Sequence, residues 1–326
     1  MNGKPVKYVA AKTVISLTSG FVEKLLCTGP IGNLGDGCAF NCSFCYVLLS
    51  FVALNARRKQ EGEGPRVMEP GGAVLRRKDA VRVAILNLHD RHGKPHAETQ
   101  QPHVLFTSTT VDPAANFELV RETAAFCRVV LDLTVWEIRV LSKSSLLPEL
   151  HKLIPEQHRH RMIYGVSTGT VDDKLAASFE QGTALVSKRI ASIRKLQDLG
   201  ARTFGMICPS LPVDDPDAFS KKICTLLRVD RMEHVWAEVL NVRGDSMKQT
   251  CAALDSAGFA AESAALGRVS SDGKAWEEYS RATFLAHTRH IPAAKLRFLQ
   301  YVGSDDAARW WREQQANGAV LLGKHK

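Results

Sequence analysis

Residues 161–210 read RMIYGVSTGTVDDKLAASFEQGTALVSKRIASIRKLQDLGARTFGMICPS. Two short apolar runs, RMIYGVS at 161–167 and RTFGMICPS at 202–210, flank a helical stretch. In that stretch Ile190, Ile193, Leu196 and Leu199 recur on one helical face, and Gly200 follows as a C-cap. Strand, helix and strand in this order make a crossover unit, which pairs its strands in parallel. The same alternation extends outward. HVLFTST (103–109), EIRVLSK (137–143) and HVWAEVL (234–240) read as strands. FELVRETAAFCRVVLDL (117–133), SLLPELHKL (145–153) and DAFSKKICTLLR (217–228) read as helices. With one strand before Cys38, six strands are expected. The pattern predicts an α/β fold, either an incomplete (β/α)6 barrel or a doubly wound open sheet.

The 326 residues are 45% hydrophobic and 24% charged, which suits a soluble protein with one large core. Residues 1–30 read as an N-terminal extension, 31–243 as the barrel and 244–326 as a helical C-terminal cap. Helices are expected in the cap at 244–259, 274–289 and 304–317. Inside the barrel, 57–102 reads as a basic insertion rich in turn signals, with a helix near Lys78–Leu88. Its Arg57, Arg58, Lys59, Arg76, Arg77 and Lys78 form either a solvated surface or a face for a phosphate backbone. The start of the chain lacks the apolar core of a signal peptide. The longest apolar run, Tyr46 to Ala56, falls short of the roughly 20 residues that span a bilayer and reads as a buried helix. A cytoplasmic protein, or one of a host cytoplasm, is expected, with no membrane contact. The formal net charge of +9 favours an anionic partner such as nucleic acid.

Residues 28–47, TGPIGNLGDGCAFNCSFCYV, carry the chemistry. Cys38, Cys42 and Cys45 are spaced x3 and x2 in a loop where Gly35 and Gly37 allow backbone angles closed to other residues. In a reducing compartment clustered cysteines point to metal rather than to disulfides. Thiolates are soft, anionic ligands for iron–sulfur clusters, and three of them leave the fourth iron of a [4Fe–4S] cube open. Zinc is the competing metal, although its structural sites take four ligands, commonly in two pairs, and Cys27 is the nearest fourth cysteine.

The CxxxCxxC spacing followed by an aromatic residue, Tyr46, resembles the cluster motif of the radical S-adenosylmethionine (SAM) superfamily. Four further stretches resemble its spore photoproduct lyase-like branch, in the same order. They are FTSTTVDPAANFELVRETAAF (106–126), IRVLSKSSLL (138–147), the run from Met162 to Gly200 and ICPSLP (207–212). The resemblance implies a partial barrel of the radical SAM type. It also implies that the open iron chelates SAM, and that one electron, from a donor such as flavodoxin or ferredoxin, cleaves SAM to a hydrogen-abstracting 5′-deoxyadenosyl radical. It places Lys143 and Ser167 at SAM-contacting positions. It places Ser108, Thr109 and Asp112 at the mouth of the barrel, where the second strand ends; for Ser108 and Thr109 a local helix cap is the alternative. The expected substrate is a thymine-derived base in DNA, either isomerised or tailored or repaired as a lesion. A small molecule, a protein side chain and a non-catalytic iron–sulfur nucleic-acid binder are the alternatives.

The chain departs from the branch at one point. Spore photoproduct lyase has a further cysteine as hydrogen donor beyond the cluster motif, whereas no cysteine lies here between Cys45 and Cys127. Cys127 falls in an apolar helix pattern and reads as core. Cys208 ends the fifth expected strand and is the candidate for that role. An isomerase returning hydrogen from 5′-deoxyadenosine needs no such thiol. The histidines of HDRHGKPH (89–96) and HRH (158–160) read as solvated. One of Trp310 and Trp311 reads as packing the C-terminal helix onto the barrel, with base stacking as the alternative, and Lys295, Arg297 and Tyr301 read as candidates near the mouth.

Overall fold

The computed structural model describes residues 6–35, 37–45, 47, 74–107, 109–241, 245–302 and 305–323. Tyr46, Ser108 and the trio Arg57, Arg58 and Lys59 lie outside the described residues, as does nearly all of the apolar run 46–56. The strands are β1 (Val6–Val9), β2 (Ile15–Ser16), β3 (Ile31–Gly32), β4 (Asn41–Cys42), β5 (Val74–Arg77), β6 (Val104–Thr107) and β7 (Glu137–Ser142). They continue as β8 (Met162–Ser167), β9 (Glu180–Gln181), β10 (Arg202–Ser210), β11 (Val235–Val239), β12 (Leu296–Tyr301) and β13 (Ala319–Leu322).

One sheet of nine strands organises the molecule, in the order β13-β12-β11-β10-β8-β7-β6-β3-β2. Every pair in it is parallel except β2 with β3. The six expected strands are all present as β3, β6, β7, β8, β10 and β11, with helices Phe117–Leu133, Leu147–Leu153, Val186–Asp198 and Pro216–Leu227 between them. Ile190, Ile193 and Leu196 are buried as their spacing requires, whereas Leu199 is exposed. Gly200 takes a left-handed φ of +74° that ends the helix.

The sheet curls. Phe106 of β6 and Leu299 of β12 are five strand steps apart, about 24 Å in a flat sheet, yet both line one cavity. They belong to an inner apolar cluster with Ile163, Phe204, Met206 and Trp236. The outer face carries the larger core, against the helices.

Two expectations about the ends of the chain are corrected. The region 244–326 is not only a helical cap. Helices Ser246–Ser256, Gly273–His290 and Asp305–Glu313 lie near their expected places, joined by an unexpected one at Ala260–Ser271, but β12 and β13 also extend the main sheet. Trp311 is fully buried, stacked on Phe298 at 5.7 Å and edge-on to Phe284 at 5.2 Å, so it is this one of the two tryptophans that packs the helix down. The N-terminal extension does more than lead into a strand. Residues 21–27 plug the concave side, where Leu26 and Cys27 join the inner cluster. Arg139 of β7 donates to the carbonyls of Leu25 (3.2 Å) and Leu26 (2.6 Å), and Trp236 Nε1 donates to that of Lys24 (2.7 Å). The Arg139 guanidinium lies 4.8 Å from the Trp236 ring. Burial brings its pKa down to about 10, which leaves it charged at neutral pH.

Candidate active site

The C-terminal ends of β6, β7, β8, β10 and β11 open onto a cavity of about 250 Å3. In curled parallel sheets this is the end where chemistry collects, because the following loops converge there. Cys38, Cys42 and Cys45 all line it, together with Lys143, Ser167 and Cys208. Thr109 and Asp112 line it too. The structure therefore brings Cys38, Cys42, Cys45, Thr109, Asp112, Lys143, Ser167 and Cys208 together at one cavity.

Backbone contacts hold the cysteine loop in place. Cys42 in β4 pairs with Glu180 in β9, and Ser43 N–H donates to the Phe179 carbonyl at 2.9 Å. Upstream, the hydroxyls of Thr109 and Thr110 both donate to Asn33 Oδ1, and Thr110 also donates to the Gly35 carbonyl at 2.5 Å. Thr109 thus braces the loop, and Asn116 caps the next helix, accepting from Leu119 N–H at 2.8 Å. Gly35 is required for lack of space rather than for its backbone angles, since a Cβ there would sit 2.4 Å from the Leu75 carbonyl. Arg76 of the same strand is 1% exposed and paired with Glu118 and Glu122 at 2.5 Å each. It is neither solvated nor free for phosphate, as its place in the basic insertion had suggested; its charge ties the loop's neighbouring strand to helix Phe117–Leu133.

Burial pushes the Cys38 thiol up to about 12, with the Asp112 carboxylate adding to the rise. Burial likewise drives Cys42 well above the ordinary thiol value, helped by Glu180. Against this, Cys38 Sγ accepts from Phe40 N–H at 3.4 Å, and Lys143 acts on Cys42. Among the described residues no three His, Cys, Asp or Glu side chains close around a single metal ion. The three thiols do face one cavity and act electrostatically on one another. Such soft donors at one opening fit a cluster whose irons each take one thiolate.

Beside them is a buried ionic triad. Glu180, 1% exposed, accepts from Lys143 Nζ at 2.5 Å and pairs with Arg189 at 2.6 Å. Lys143 Nζ also lies 5.3 Å from the Phe44 ring and 3.4 Å from the Cys208 carbonyl. Glu180 is thus shared by two cations, of which Lys143 lines the cavity and Arg189 is buried behind it. Asp112 accepts from Ser142 Oγ (2.7 Å), Lys143 N–H (2.8 Å) and Ala114 N–H (2.9 Å), so its carboxylate fixes the turn that presents Lys143. Burial nevertheless keeps the Asp112 carboxyl above its usual range. The Ser167 hydroxyl donates to the Cys208 carbonyl at 3.0 Å, and its own carbonyl accepts from Arg189 at 2.9 Å.

Cys208 has its thiol 3.6 Å from Glu238. Burial pushes that thiol far up, so it is protonated. Cys127 is fully buried in the core, as its helix pattern implies. Lys295 donates to the Asp230 carbonyl at 2.6 Å, at the opposite end of the sheet from the mouth, and Arg297 follows it there by two residues. Glu180 and Arg189 lie in the stretch of the resemblance but had no role assigned to them, and Lys24, Glu238 and Asn241 were not foreseen. Arg189 had one available signal: it shares the i, i+4, i+7 face with Ile193 and Leu196.

Among solved structures the chain is similar to spore photoproduct lyase complexed with dinucleoside spore photoproduct. The identity is 12% over 76% of this chain and 66% of that one, with a TM-score of 0.50. It is similar also to a tyrosine-to-phenylalanine variant and a cysteine-to-serine variant of that enzyme. Each is 13% identical over 74% of this chain and 64% of that one, with a TM-score of 0.51. The chain spans about two thirds of the length of these structures. No protein-family model and no curated protein matches it. Over these stretches the curled parallel sheet described above is a fold shared with spore photoproduct lyase.

Proposed function

We propose that the chain is a radical SAM enzyme that acts on a thymine-derived base in DNA, isomerising or tailoring it or repairing a lesion. The observation that carries this reading is the convergence of Cys38, Cys42, Cys45 and Lys143 on one cavity at the C-terminal end of the sheet. When bound, a [4Fe–4S] cluster and SAM supply the electron and the carbon radical that this chemistry needs. The three cysteines hold the cluster as thiolates. Lys143, aimed by Glu180, meets the SAM carboxylate with an ammonium donor. Ser167 offers its hydroxyl from the adjoining strand, and Asp112 positions Lys143 through the backbone. The apolar plug and inner cluster exclude water from the floor of the cavity. Among the described residues Cys208 is the one cysteine outside the motif that lines the cavity, with a protonated thiol able to return a hydrogen atom.

The net charge of +9 supports a polyanionic partner. A target base in a duplex would leave its stack at a cost of a few kcal/mol. Flavodoxin or ferredoxin is the proposed electron source. The test is anaerobic reconstitution with iron and sulfide, followed by SAM, dithionite and DNA with or without modified thymines. 5′-Deoxyadenosine together with an altered nucleoside in the mass spectrum is the expected result. Intact SAM would defeat the reading, and SAM cleavage indifferent to DNA would move the substrate to another class.

A further inference from the structure

Across the cavity from the cysteines, the plug and β11 contribute a second charged pair. Lys24 and Glu238 both line the cavity, with side chains 24% and 12% exposed. Lys24 Nζ and Glu238 Oε1 stand 3.9 Å apart, too far for a hydrogen bond. Burial pushes the Lys24 ammonium down, but Glu238 and Tyr301 more than reverse this. Glu238 accepts from Asn241 Nδ2 at 2.6 Å on one oxygen and from the Cys208 thiol at 3.6 Å on the other. The wall beside the pair is apolar, with Phe106, Leu141, Met206 and Leu299.

Dehydrated charges are costly unless they are matched. Here each is matched in part, Glu238 by Asn241 and the Cys208 thiol and Lys24 by Tyr301, whose ring lies 5.6 Å from its Nζ, and both still border the open space of the cavity. A flat ring with an N–H beside a carbonyl on its edge would match both at once. It would donate to the carboxylate, accept from the ammonium and lay its faces against apolar side chains.

We propose that Lys24 and Glu238 read the imide edge of a pyrimidine base, thymine or uracil. Glu238 accepts the ring N–H and Lys24 donates to a flanking carbonyl oxygen. This rests on the proposed action on a thymine-derived base, and it names the residues that recognise that base.

The probe is thymidine against N3-methylthymidine, titrated by ligand-observed NMR into anaerobic, cluster-loaded protein without reductant. The unaltered protein should prefer thymidine by about tenfold or more, the scale of a hydrogen bond to a charged group. Glu238→Ala should collapse that preference to less than about twofold, and Lys24→Met should weaken both nucleosides. Lys143→Ala, across the cavity, should keep the preference. SAM affinity should be unchanged in Glu238→Ala and Lys24→Met. A preference that survives Glu238→Ala, or SAM affinity that falls with either variant, would overturn the inference. Equal binding of both nucleosides by the unaltered protein would also overturn it, whether or not the variants fold, while sparing the thymine reading. Binding of neither would remove both.

Discussion

The two walls of the cavity are braced by opposite means. Behind the cysteines stands a buried ionic triad, Glu180 with Lys143 and Arg189. Behind β11 and β12 stand aromatic rings, Phe284, Phe298 and Trp311, with the fully buried His287 beside them. Charges fix direction at little net gain in stability, because dehydration offsets most of their attraction. Aromatic packing supplies stability with less demand on orientation. The wall that presents Lys143 is braced by charges from behind, whereas β11 and β12 are braced by rings from behind, although Lys24 and Glu238 face the cavity on that side.

The sharpest way to break this contrast is at the cysteines. Cys42→Ala should abolish cluster assembly and all SAM cleavage, read as iron per chain and 5′-deoxyadenosine. Retained turnover would remove the cysteine loop from the chemistry. Next in size is Glu180→Ala, which leaves two buried cations without their carboxylate. Breaking a buried pair from one side costs about 3–5 kcal/mol, measurable by urea unfolding. A loss below about 1 kcal/mol would show that the triad is hydrated.

On the aromatic side, acid is the probe. His287 donates or accepts at Ser220 Oγ (2.8 Å) through Nδ1, and its Nε2 has no partner among the described residues. Burial, with a smaller contribution from His290, lowers its pKa to about 4. The unfolded chain, with a histidine pKa near 6.5, then binds the proton more readily than the folded one. Stability from this group is full above about pH 6.5 and is lost as pH falls toward 4, by up to about 3 kcal/mol. His287→Gln should flatten that slope in urea titrations; an unchanged slope would place the acid sensitivity elsewhere. The smallest effect is Lys143→Ala, expected to weaken SAM binding about tenfold, the scale of one charge-assisted hydrogen bond. Equal affinity would show that the Lys143 ammonium serves something other than SAM.

The same contrast governs what could be read before any coordinates. The cysteine wall is nearly contiguous in sequence: Cys38 to Cys45 lie in one loop, and Asp112, Lys143, Ser167 and Cys208 mark successive strand ends. Alternating strands and helices therefore located them. Glu180 closes the Ser-x-x-Thr-x-Asp stretch of the resemblance that begins at Ser167, but its role escaped because a carboxylate at the end of a short helix has no local mark of burial. Lys24 and Glu238 escaped because they come from opposite parts of the chain and meet only once the plug has docked. Strand β12, LRFLQY, holds no β-branched residue, and β13 is four residues long. Their strand preference rests on Phe298, Tyr301 and Val320 alone, and each lies against a neighbour that is already a strand.

The plug also sets an order of events during synthesis. Residues 21–27 leave the ribosome well before Trp236, whose indole N–H donates to the Lys24 carbonyl, and before Leu299 and Leu322 of the inner cluster they join. The early segment must wait, exposed, for strands made near the end, which marks it as a late and slow step of folding. Pulse-labelled hydrogen exchange should find the amides of Leu25 and Leu26 among the last protected; early protection would mean that the segment docks on a partial sheet.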